Sequence, residues 1–200
     1  MILTSAILKE AEKWLGCKTN SPTKCTDEIK KLYNNKVNNE AWCAKFVWAM
    51  TNEASKKLGI ENPLIKTAST ATLLSTAKKT IRTDSTPGIG SIFYTTRTGG
   101  GHVGFVTKIN EHKFETIEGN TTNGSGEYGV WNKTRDMKTK DYQFIHLEDL
   151  DTIKNNLLAP LQFELDMIFA DPRSYISTGI LLTGAFITYK IYKKTRNKKQ

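Results

Sequence analysis

The spacing of the apolar residues changes once along the chain, and this change constrains the fold more than any other feature. From Cys43 to Leu58 the apolar residues recur about every four positions, which is typical of an amphipathic helix. From Ser91 onwards they alternate with polar residues, which is typical of β-strands. Helices therefore precede strands, and this order predicts an α+β domain in which N-terminal helices pack on an antiparallel sheet.

The pattern also sets the bounds of the predicted elements. Helices are expected over 4–16, 27–33, 43–58 and 69–79, and strands over 91–96, 102–109, 113–119, 128–133 and 142–147. Gly59 directly follows the third helix and is expected to end it. Residues 1–147 are long enough to bury a core of their own, so we assign them to a single domain.

The C-terminal fifty residues differ in composition from this domain. Residues 148–172 have an amphipathic helical pattern, which suits a stalk, a membrane-surface helix or a helix packed on the domain. Residues 174–189 carry no charge and, with their neighbours, reach roughly 28 Å as a helix, close to the thickness of a bilayer core. A buried soluble helix is the alternative, but the basic residues of 193–200 favour a single transmembrane helix over 173–192.

The distribution of charge and the composition of the two ends of the sequence indicate which partners and which location to expect. The net charge is +9, but six of the 29 lysines and arginines lie within residues 190–200. A broad nucleic-acid-binding face is therefore not expected. The remaining basicity suits an anionic substrate such as cell wall, or merely a solvated surface. Residues 1–5 lack the features of a signal peptide, and a basic tail favours a cytoplasmic C-terminus with the domain on the far side.

The three cysteines and three histidines show no metal-ligand spacing, so no metal site and no cofactor are predicted. Cys17 and Cys25 could form a disulfide or remain thiols. Cys43 stands at the start of the third helix, where the helix dipole and the N-terminal amides stabilise a thiolate. It is a candidate nucleophile, although a buried cysteine is often only a small core residue.

His102 supplies a candidate base for this thiol. If Ile109 pairs with Lys113 across a three-residue loop, His102 lies opposite Asn120, and Glu118 lies opposite Gly104 on the same face. The glycine leaves room for the carboxylate beside the imidazole. Such a hairpin would combine a base with an acid or amide that orients it. A surface histidine and a solvated acid are the alternatives.

Four segments of the sequence resemble the CHAP family of cysteine amidases and peptidases, which belongs to the papain-like peptidoglycan hydrolases. They are Trp42–Val47, then Pro87–Tyr94, then Gly101–Val106, then Thr116–Asn120. The resemblance implies cleavage of an amide bond in peptidoglycan, with Cys43 as nucleophile, His102 as base, and Glu118 and Asn120 as orienting residues.

The sequence departs from the family pattern at two places. Gly90-Ser91 stand where the family commonly has an aspartate, and only Glu40 is acidic just upstream of Cys43, so no calcium site is expected. We assign Trp42, Tyr94 and Gly101 to the substrate cleft.

The expected protein is a membrane-anchored wall hydrolase, on a phage virion or at the bacterial inner membrane with its catalytic domain facing the wall. Its expected partners are peptidoglycan, the lipid bilayer and proteins of a virion or membrane complex. A non-catalytic structural subunit of the same fold, and a toxin that hydrolyses amides of host proteins, are the alternatives.

Overall fold

The fold is described here from a computed structural model of the chain. It describes residues 2–20, 25–34, 40–97, 100–138, 141–147 and 150. All of these belong to one structural unit, residues 1–153. The predicted stalk, transmembrane helix and basic tail lie outside the described residues, apart from Leu150. No helix within the described ranges is long and apolar enough to cross a membrane.

Within the described residues, four helices occupy the N-terminal half, as the spacing of the apolar residues predicts. They are α1 (Leu3–Glu12), α2 (Cys25–Asn34), α3 (Cys43–Lys57) and α4 (Thr70–Ala77). Gly59 has a φ of +63° directly after α3, and its N–H bonds to the carbonyl of Lys56 while that of Ile60 bonds to Ser55. This pair of bonds is a Schellman motif, and it confirms Gly59 as the residue that ends the helix.

In the part of the chain that the structure describes, six strands form one antiparallel sheet after the helices, and this confirms the α+β class. They are β1 (Thr83–Asp84), β2 (Ile92–Arg97), β3 (Gly100–Asn110), β4 (Lys113–Thr122), β5 (Tyr128–Asp136) and β6 (Tyr142–Ile145). Their order across the sheet is β1-β6-β2-β3-β4-β5. The sequence pattern missed β1, because two polar residues are too few to show an alternation.

The predicted pairing of β3 with β4 is wrong at the turn and correct towards the site. Asn110, not Ile109, pairs with Lys113, so the loop is one residue shorter than predicted. A register shift between Val106 and Lys108 then adds one unpaired residue to β3. Beyond this β-bulge Phe105 pairs with Ile117, which is the predicted register. The two deviations cancel before the strands reach His102 and Glu118.

The sheet contributes to two clusters of buried side chains, because alternate residues of a strand face opposite sides. Phe105 belongs to the larger cluster, together with buried residues of α1, α3 and α4. Its neighbour Val106 belongs to a second cluster, whose other buried members are Phe93, Phe114, Tyr142 and Phe144. Helix α3 packs against both β3 and β4, so its first turn lies near the strands that carry the candidate base and acid.

A disulfide joins Cys17 to Cys25, with Cα atoms 5.9 Å apart, and settles the alternative that the sequence left open. The bond links the segment after α1 to the first residue of α2. The same segment is held to β5, because the carbonyl of Cys17 accepts a hydrogen bond of 2.9 Å from the N–H of Val130. The bridge thereby fastens the N-terminal helices to an edge strand of the sheet.

Candidate active site

Cys43 is the first residue of α3 and retains its thiol. The first N–H groups of a helix are not used by its own i to i−4 hydrogen bonds, and they give this end a partial positive charge. The Cys43 side chain is therefore at a position that favours a thiolate over a thiol. Only 3% of the residue is exposed, and because burial by itself disfavours a charged sulfur, the helix end is the feature that favours a thiolate here.

The first turn of α3 rests directly on β4 at Gly119. A Cβ on this glycine would lie 2.6 Å from Cγ of Phe46 and 2.8 Å from Cζ3 of Trp42. No side chain fits in that space, so the glycine sets how closely the helix approaches the strand. Cys43 stands between Trp42 and Phe46 in the sequence, and Gly119 directly follows Glu118. The start of α3 and the end of β4 are thus packed together.

His102 and Glu118 form a buried pair. Nε2 of the imidazole lies 2.8 Å from Oε2 of the carboxylate, and both side chains have no exposed surface. The sequence predicted this diagonal contact, and it also predicted the reason that Gly104 is needed. A Cβ on Gly104 would lie 2.8 Å from Cγ of Glu118 and 2.8 Å from the carbonyl oxygen of Ile117.

Three side chains hold the Glu118 carboxylate through four hydrogen bonds. Oε1 accepts from the Thr116 hydroxyl at 2.6 Å and from Nε of Arg135 at 2.7 Å. Oε2 accepts from His102 and from Nη2 of Arg135. A carboxylate has about four lone-pair positions, and this one uses all of them. Its orientation is fixed by β3, β4 and β5 together.

These contacts keep Glu118 ionised. Burial by itself disfavours the charged form, but hydrogen bonds from His102 and Arg135 and the positive charge of Arg135 outweigh it. The pKa of the Glu118 carboxyl falls to about 2 as a result. The same contacts raise the pKa of Arg135, so they keep the guanidinium charged as well. Burial opposes its charge, but the bonds to Glu118 outweigh burial and raise the pKa of the guanidinium.

The charge on Glu118 determines the tautomer of the imidazole. A carboxylate has no proton to donate, so Nε2 of His102 must carry the proton of the 2.8 Å hydrogen bond. In the neutral ring Nδ1 then has the lone pair. Any proton taken from a thiol by His102 therefore goes to Nδ1. This is the arrangement that a catalytic base needs, since its second nitrogen is oriented by an acid.

Asn120, the other predicted orienting residue, is at an irregular point of β4. Its φ is +58°, and the pairing of β4 with β5 shifts register between Gly119 and Thr121. The bulge breaks the alternation that placed Asn120 and Glu118 on the same face in the sequence-based prediction. Within the described residues, the carboxylate that bonds to the imidazole is that of Glu118. A role for the Asn120 amide stays a prediction.

The three residues predicted to contact substrate lie around the same strands. Trp42 is buried against Gly119 and Phe46. Tyr94 is half-buried on β2, and a Cβ on Gly101 would lie 2.6 Å from its ring and 2.5 Å from the Thr70 hydroxyl. Gly101 is thus a point of close approach between β3, β2 and the start of α4, next to His102. Contact of these residues with a substrate stays a prediction.

Arg135 is the residue at this site that the sequence-based prediction missed. It lies in a run of polar residues on β5, where apolar alternation gives no signal. A correct pairing of β4 with β5 would have revealed it, because Phe114 pairs with Arg135 and places the arginine on the Glu118 face. Within the described residues, no group of three or more His, Cys, Asp or Glu side chains could hold a metal ion.

Comparison with known proteins agrees with the assignment made from the four sequence segments. Residues 34–120 match the family model of the CHAP domain. The match starts at the end of α2 and ends at Asn120, so it includes Cys43, His102 and Glu118 but stops before β5. No curated protein matches the chain.

Proposed function

We propose that the chain hydrolyses an amide bond of bacterial peptidoglycan, with Cys43 as nucleophile and His102 as base, because residues 34–120 match the CHAP domain. The domain itself implies a peptidoglycan hydrolase of the cysteine amidase or peptidase type. The observation that carries the residue assignment is the buried pair of His102 with an ionised Glu118, on strands against which the helix of Cys43 packs.

The proposed reaction has two steps that share one base. Cys43, as a thiolate, attacks the carbonyl carbon of the amide, and its own N–H helps to hold the oxyanion that forms. His102 gives its proton to the leaving amine, and a thioester remains on the sulfur. Water then attacks the thioester with His102 as base, which releases the acid and restores the thiol. His102 is an imidazolium after it takes the proton of the thiol and again after it takes a proton from water, and Glu118 stabilises it at both points.

The test is clearing of purified peptidoglycan by the full chain. Wild-type protein should clear the wall, and Cys43→Ala should abolish clearing while it leaves the fold unchanged. The matched control replaces the two other sulfurs, Cys17→Ser with Cys25→Ser, and should still clear. Equal clearing by wild type and Cys43→Ala would exclude thiol catalysis and would favour a non-catalytic role. Mass spectrometry of the released fragments identifies the bond, whether muramoyl-alanine, stem or cross-bridge.

We extend the proposal to the location of the enzyme. The Cys17–Cys25 disulfide supports an oxidising compartment, such as the cell-wall side of a bacterial membrane. The uncharged run of residues 174–189 supports anchoring by a helix over 173–192. A phage membrane or virion is the setting that we favour, with the bacterial inner membrane as the alternative. Extraction of the full chain from membranes by detergent, but not by salt or carbonate, is the expected result.

A further inference from the structure

We propose that Arg135 is a positioning residue of the active site, which acts by fixing the Glu118 carboxylate and by offsetting its charge beside His102. The inference rests on the proposed function for its catalytic consequence. It concerns a residue on β5, outside the segment that matches the CHAP domain. Arg135 bonds to both oxygens of the Glu118 carboxylate, so we assign its effect on His102 to Glu118.

The first part of the role is geometric. Nε and Nη2 of the guanidinium bond to different oxygens of the carboxylate, which is the bidentate arrangement that only an arginine can make. The guanidinium is itself held, because its carbon lies 5.0 Å from the centre of the Phe93 ring and only 16% of the side chain is exposed. The carboxylate cannot rotate while both bonds persist, so Oε2 stays directed at the imidazole.

The second part of the role is electrostatic. A lone buried carboxylate 2.8 Å from Nε2 would strongly stabilise the imidazolium and raise the pKa of His102. Arg135 opposes this effect, because the Arg135–Glu118 pair carries no net charge. The imidazole therefore lies beside a pair without net charge, and the attraction that a lone carboxylate would exert on its proton is reduced.

The groups that face this carboxylate come from all the elements around it. Among the described residues, His102 on β3, Thr116 on β4 and Arg135 on β5 bond to it directly. Tyr142 on β6 adds to the rise in the pKa of Arg135 through its own hydrogen bond. Arg135 is the one fixed cation among these four, since the imidazole gains and loses its proton during the reaction.

The experiment measures the titration of His102 by NMR, because this readout does not depend on finding the substrate. Arg135→Gln removes the cation and should raise the pKa of His102 by at least about 1, as loss of a nearby positive charge does. Arg135→Lys keeps the positive charge but loses the bidentate hydrogen bonds, so it should leave the pKa of His102 within about 0.5 of wild type. His102→Gln assigns the signal, and the other two histidines serve as internal references.

Activity on peptidoglycan separates the geometric part from the electrostatic part. Arg135→Lys should lower kcat by about tenfold or more, with little change in KM, because an ammonium cannot bond to both carboxylate oxygens at once and so holds Glu118 less rigidly. Arg135→Gln should also move the alkaline limit of the pH profile upward. The matched control is Arg82→Gln, which removes an arginine from the exposed Arg82–Asp84 pair. It should change neither the pH profile of activity nor the pKa of His102 measured by NMR.

An unchanged pKa of His102 in Arg135→Gln, with reduced thermal stability alone, would overturn the proposal and leave Arg135 as a structural clamp. If Arg135→Gln does not fold, Arg135→Lys decides, since wild-type kcat in that variant would equally refute the geometric part. Failure of the proposed function looks different. Wild type would then leave peptidoglycan intact, while the effect of Arg135 on the titration of His102 would still be measured.

Discussion

Replacing Glu118 by glutamine should change how the stability of the domain depends on pH. The pKa of this carboxyl is about 2 in the folded chain, against a usual value of 4.5. Because the folded value is the lower one, the charge stabilises the fold fully above about pH 4.5, and the benefit is lost as the pH falls towards 2. The difference corresponds to about 3 kcal/mol in the free energy of unfolding.

Glutamine has nearly the same shape but no charge to lose. The unfolding free energies of wild type and Glu118→Gln should therefore converge by about 3 kcal/mol between pH 5 and pH 2. A smaller difference that does not depend on pH should remain, because the glutamine amide cannot reproduce every hydrogen bond that the carboxyl group makes. The two contributions are separable, since only the first depends on pH in this range.

Urea denaturation followed by tryptophan fluorescence at pH 5, 4, 3 and 2 measures this convergence. The matched control is Glu115→Gln, which removes an exposed carboxylate from the same strand, and the pH dependence of its stability should parallel that of wild type. If the Glu118→Gln curve ran parallel to that of wild type, the fold would not lower the pKa of the Glu118 carboxyl. If wild type instead lost stability relative to the variant as the pH rose through 4.5, Glu118 would be neutral in the fold. The reasoning about the tautomer of His102 would then fail as well.

Three further perturbations test other parts of the site and fold. Gly119→Ala should destabilise the domain by about 1–3 kcal/mol and lower activity, because the new methyl meets Phe46 and moves the start of α3; unchanged melting and activity would contradict this contact. Reducing the Cys17–Cys25 bridge should cost roughly 2–3 kcal/mol, and a double serine variant should show no response to reductant. Asn120→Ala should destabilise the domain, because alanine disfavours the positive φ of this residue, whereas Asn120→Gly should not. Full activity in the glycine variant would show that the Asn120 amide has no chemical role.

The spacing of apolar residues was sufficient to predict the helices, the long strands and the position of Cys43 at a helix start. These features depend on local periodicity, which a sequence states directly. The contact between His102 and Glu118 was also predicted, but from an assumed loop that the structure corrects. The shorter turn and the bulge between Val106 and Lys108 restored the expected register. Bulges depend on packing across the sheet, so local spacing cannot reveal them.

The chain by itself determined which chemical groups are available: one thiol at a helix start, one histidine and one glutamate on paired strands, and two cysteines near enough to bridge. Only the tertiary structure decided which of them meet. It joined Cys17 to Cys25, placed α3 on Gly119, and brought Arg135 to Glu118 from a strand seventeen residues further along the chain. Those contacts depend on strand order, bulges and close approach of backbones, which are properties of the packed sheet and not of any local segment.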